Sequence, residues 1–65
     1  MNKEKKLIVK GKYGPLEFSD TAHPYNENAH NEQVETCVES IRRQIIESGK
    51  KEMIDAFDIS GEIVE

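Results

Sequence analysis

The chain has 65 residues, a formal net charge of −4 and a single cysteine. That length holds one domain with a small core, and the lone cysteine excludes an internal disulfide, which leaves a metal ion or a partner chain as the staple on which small folds lean. The mild acidity excludes a domain-wide basic footprint for nucleic acid, and no apolar run approaches the roughly 20 residues of a membrane span.

Met1 to Glu4 is expected to fray. Lys5 to Lys10 reads as a strand around Leu7, Ile8 and Val9, two of them β-branched neighbours. Gly11-Lys12-Tyr13-Gly14-Pro15 carries turn chemistry: both glycines tolerate positive φ, and Pro15 breaks a helix. Leu16-Glu17-Phe18-Ser19 alternates apolar and polar residues, as a second, short strand does. Residues 5–19 are therefore expected to form a β-hairpin with a loop of three to five residues. Lys3, Lys5, Lys6, Lys10 and Lys12 make this end basic against Glu4 alone, while the remainder is acidic. Such lysines either mark an interaction end or guard an exposed strand against aggregation.

Ser19 to Glu27 is a polar loop, in which Pro24 holds His23 extended. From Asn28 to Ser48 the apolar residues Val34, Cys37, Val38, Ile41 and Ile45 recur at three- and four-residue steps. That spacing lines one face of an α-helix. Asn26 or Asn28 suits its N-cap and Gly49 its C-terminal stop. Glutamates early in the segment and Arg42, Arg43, Lys50 and Lys51 late in it agree with the helix dipole. A helix over 28–48 is about 32 Å long, against about 23 Å for a seven-residue strand, so it is expected to overhang its sheet. Ile46 lies off the apolar stripe.

After Gly49 the period changes to two. Phe57, Ile59 and Ile63 share one parity and Asp58, Ser60 and Glu62 the other, which predicts a C-terminal strand. The strand is placed over 52–64, with Gly61 as a candidate bulge. A helical turn over Lys51 to Ala56 is the alternative for its first part. The fold class that follows is α+β: a small β-β-α-β domain, with one long amphipathic helix packed on an antiparallel sheet. Its expected core is Leu7, Val9, Leu16, Phe18, Val34, Cys37, Val38, Ile41, Ile45, Phe57, Ile59 and Ile63.

No arrangement of residues rises to a chemical assignment. His23, His30 and Cys37 are the weak candidates for a metal site, with Glu27 as a fourth ligand, because zinc accepts such donors. No compact ligand pair supports them, and Cys37 on the apolar stripe reads more simply as a small buried hydrophobe. A reactive thiolate needs a helix N-terminus or a cationic neighbour, and the predicted position mid-helix offers neither. Asp55 with Asp58, Glu62 with Glu65, and Asp20 lack a pocket that would raise a carboxyl pKa. Gly11-Lys12-Tyr13-Gly14 lacks the spacing of a phosphate loop. No catalytic residue and no cofactor is assigned.

The sequence thus favours a non-enzymatic interaction or regulatory module, acting as a homodimer on an unknown protein partner and not at a membrane. Lys10, Lys12, Tyr13, His23, Tyr25 and Ile46 are its candidate contact residues. Nucleic-acid binding through the lysine-rich hairpin is the alternative, and a metal-dependent sensor or enzyme built on His23, His30 and Cys37 comes after it. One free thiol without an export signal points to the reducing cytoplasm. The richness in Lys, Glu, Ile and Asn is compatible with a low-GC bacterium or its phages.

Overall fold

The computed structural model describes residues 4–65, so nearly all of the expected frayed segment, residues 1–3, lies outside the described residues. The architecture is a small α+β domain of order β-β-α-β. Strand β1 spans Lys6–Tyr13, β2 Leu16–Ala22 and β3 Asp58–Val64, and helix α1 spans His30–Glu47. The sheet order is β2-β1-β3, and both pairings of the central β1 are antiparallel. Short 3-10 turns over Glu27–Ala29 and Lys51–Ala56 lead into and out of the helical layer.

The hairpin is longer and tighter than expected. Tyr13 pairs with Leu16, which leaves Gly14 and Pro15 as the whole turn, and the ladder continues back to Leu7 opposite Ala22. Gly14 supplies the positive φ, at +58°. Gly11 is no turn residue: it lies within β1, buried and opposite both Phe18 and Ile59. It takes the third inward position after Leu7 and Val9, where the pleat calls for a small side chain beneath the helix.

Helix α1 starts at His30, two residues later than expected. Asn26 caps the preceding 3-10 turn by accepting from the Asn28 amide at 2.9 Å. Gln33 then ties the helix to the loop, accepting from the Asn26 amide at 2.9 Å and donating to the Pro24 carbonyl at 3.1 Å. At the other end Gly49 has φ +82°. Its amide donates to the Ile46 carbonyl, and that of Lys50 donates to Ile45. This paired arrangement satisfies two of the last free carbonyls.

The overhang disappears in the structure. Eighteen helical residues span about 27 Å, and eight strand residues span about the same. Residues 52–56, expected to begin the last strand, instead belong to the 3-10 turn Lys51–Ala56, the alternative for that part. The register explains this. Lys12 pairs with Asp58, and β1 ends at Tyr13, so residues before Phe57 have no strand to lie against. Gly61 is no bulge, because it sits opposite Val9 in an unbroken ladder.

The core is Leu7, Val9, Cys37, Ile41, Ile45 and Phe57, with Leu16, Phe18, Val34, Val38 and Ile59 packed around it. Ala22, Tyr25 and Ile54 join that surrounding layer. Phe57 anchors the hairpin end through Tyr13 and Phe18, with ring centroids at 5.6 and 5.8 Å. Ile63 departs from expectation: it has the inward parity, yet it is 45 % exposed.

Candidate interaction surfaces

The exposure of Ile63 follows from where α1 lies. Gln44 donates to the Ser19 carbonyl of β2 at 3.1 Å, and Cys37 lies beside Asp20 of the same strand. One flank of α1 therefore faces β2. Val38, Arg42 and Ile46 lie on the opposite flank by helical geometry and overlook β3. The helix runs alongside β1, since Tyr25 near its start donates to the Lys5 carbonyl and Ile41 sits over Gly11. Nothing among the described residues covers the far end of β3. Along its inner face Ile59 packs against the core, whereas Ile63, opposite Leu7, is 45 % exposed; Ile46, 46 % exposed, lies toward the hairpin end of the helix.

Among the described residues nothing covers the opposite face of the sheet. The register sets Lys6, Ile8, Lys10 and Lys12 in a row along β1 on that face. Lys12 stands between Glu17 and Asp58, Lys10 between Ser19 and Ser60, and Ile8 between Thr21 and Glu62. Three lysines are thus matched by three carboxylates. The basic run visible in the sequence is balanced in space, because the strands on either side bring their acids to it.

The remaining candidates are dispersed. Tyr13 has the opposite parity to Lys10 and Lys12, so it lies toward the helical layer and stacks on Phe57. Tyr25 is no free loop aromatic. It is half-buried and shares a 2.6 Å hydrogen bond with Nδ1 of His30, the two rings meeting edge to face at 5.7 Å. His23 is exposed, next to a cis peptide at Pro24.

Cys37 is 2 % exposed. Burial pushes its thiol pKa up, and the Asp20 carboxylate beside it adds to the shift by repelling the thiolate and accepting the thiol proton in a hydrogen bond. That environment is the reverse of one that activates a nucleophile. An open hollow of about 300 Å³ beside it is lined by Asp20, Ala22, Ala29, Gln33, Thr36 and Cys37. It holds no cationic side chain. The pairing of Cys37 with Asp20 was not visible from the sequence, since 17 residues separate them and Asp20 stood in the predicted loop. Among the described residues no three His, Cys, Asp or Glu side chains gather as metal ligands would, and no helix is long and apolar enough to cross a membrane.

The chain is thus a small α+β domain with a three-stranded antiparallel sheet, one covering helix and an exposed Ile63 on its third strand. Compared with known proteins, it matches no family model, no curated protein and no solved structure.

Proposed function

We propose that this domain is a non-enzymatic regulatory module that acts by binding another macromolecule, and that it does so as a homodimer. The observation that carries the reading is β3: an edge strand on which the inward-facing Ile63 is 45 % exposed, with no helix over it among the described residues. Unpaired strand edges beside apolar surface recruit further chains. A partner chain would also supply the stabilisation that a core of six buried side chains leaves wanting. The free, buried thiol suits a reducing compartment such as the cytoplasm.

The balanced charge around Lys10 and Lys12 supports a protein partner over a nucleic acid, whose backbone demands a net positive surface. The engagement of Cys37 with Asp20, and of His30 with Tyr25, leaves a sensor or enzyme built on His23, His30 and Cys37 without support. Native mass spectrometry of the protein across a dilution series tests the reading. A metal-free dimer is the expected species, and a folded, metal-free monomer at every concentration would sink the homodimer. A salt-sensitive gel shift with duplex DNA, abolished by Lys10→Glu with Lys12→Glu, would replace the protein partner with a nucleic acid.

A further inference from the structure

We infer that two copies join along their β3 edges, antiparallel, about a two-fold axis at Gly61, and so form one six-stranded sheet with both helices on the same side. The inference rests on the homodimer reading above and specifies its interface.

The register argues for it. A two-fold axis perpendicular to a continuous sheet pairs residues of like face. Of the registers that do this, the one centred on Gly61 matches all seven residues of β3. It sets Ile59 opposite the partner's Ile63, Ser60 opposite the partner's Glu62, and Asp58 opposite the partner's Val64. No two acids face each other. The next face-matched registers fail on charge, since one sets Asp58 against the partner's Glu62 and the other sets Glu62 against its own copy. Like charges directly opposite are destabilising.

The other free edge fits less well. A full-length pairing of β2 with itself is centred on Ser19 and sets Phe18 against the partner's Asp20 on the inner face. Gln44 of α1 already occupies the Ser19 carbonyl there. Joining along β3 instead brings four isoleucines, Ile59 and Ile63 from each copy, into one apolar strip between the two helices.

Ser60 and Glu62 are exposed and lie on the uncovered face, so they can be changed without disturbing the core. In the full chain, Ser60→Glu places two glutamates opposite the partner's two Glu62 side chains. Sedimentation equilibrium at micromolar protein is expected to show a wild-type dimer whose dissociation constant rises about tenfold in Ser60→Glu, from two like-charge contacts. Adding Glu62→Lys to the same chain turns both contacts into opposite-charge pairs and is expected to restore the wild-type constant. Ser19→Glu, on the β2 edge, is expected to leave it unchanged. A dimer indifferent to Ser60→Glu would overturn the β3 interface while the homodimer survived. A wild-type monomer throughout would remove both.

Discussion

Gly11 of β1 and Ile41 of α1 are in such close contact that a Cβ built on Gly11 would stand 2.9 Å from Cγ2 of Ile41. The absence of a side chain at position 11 lets the helix settle onto the centre of the sheet. Gly11→Ala is expected to force the helix outward and to cost about 1–3 kcal/mol, the usual range for overpacking. Ile41→Leu removes the offending branch at a cost of less than about 1.5 kcal/mol. The double variant is expected to lose less than the sum of the two single losses. Urea denaturation of the four proteins measures this coupling, and strict additivity would mean that the contact does not set the helix position.

Gly14 gives the contrasting case. A Cβ there meets nothing within 4 Å, but φ is +58°. Gly14→Ala is expected to cost about 1–2 kcal/mol through backbone strain alone. D-alanine at the same position, placed by chemical synthesis, favours that φ and is expected to stabilise the fold by about 0.4–1 kcal/mol. Equal melting temperatures for the two alanine forms would show that the turn does not hold this conformation.

The buried Cys37 beside Asp20 yields a prediction about pH. The folded state raises the thiol pKa, so the fold binds the proton more tightly than the unfolded chain does. That contribution is complete below the unfolded thiol pKa, about 8.5, and is lost as pH rises through the folded value. Stability is therefore expected to fall on the alkaline side, and less steeply in Cys37→Ala. Iodoacetamide is expected to label the native thiol far more slowly than the urea-unfolded one. Asp20→Asn, which removes the repulsion of the thiolate, is expected to speed native labelling. Unchanged labelling in that variant would leave burial as the whole cause.

Tyr25 and His30 fasten the loop to the start of α1. Tyr25→Phe keeps the ring contact and loses the hydrogen bond, for an expected cost of about 0.5–1.5 kcal/mol. His30→Ala removes the same bond from the other side. The two losses are expected to be less than additive in a double-mutant cycle, and independent losses would mean that the bond contributes nothing in solution.

Much of this fold is legible in the chain. The three- and four-residue spacing of Val34, Cys37, Val38, Ile41 and Ile45 determines a helix and its buried face, because that period belongs to no other regular structure. Gly49 determines where the helix stops. The alternation from Phe57 to Ile63 determines a strand and which of its residues share a face. These are local properties, set by backbone period and by the residues that tolerate positive φ.

Tertiary structure decided what local pattern could not. Gly11 and Lys12 read as a turn, yet β3 pairs with them at Ile59 and Asp58, and a ladder on both sides overrides a weak local preference. Asp20 to Ala22 read as a loop, and the same β1 template drew them into β2. The N-terminal lysines read as a basic patch, but pairing set Glu17, Asp58 and Glu62 among them. Parity put Ile63 on the inward face but could not say what lies over that face. The lateral position of α1, held to β2 by Gln44 and seated over Gly11, leaves it bare. A period reports the direction of a side chain, whereas its cover depends on where a different element comes to rest.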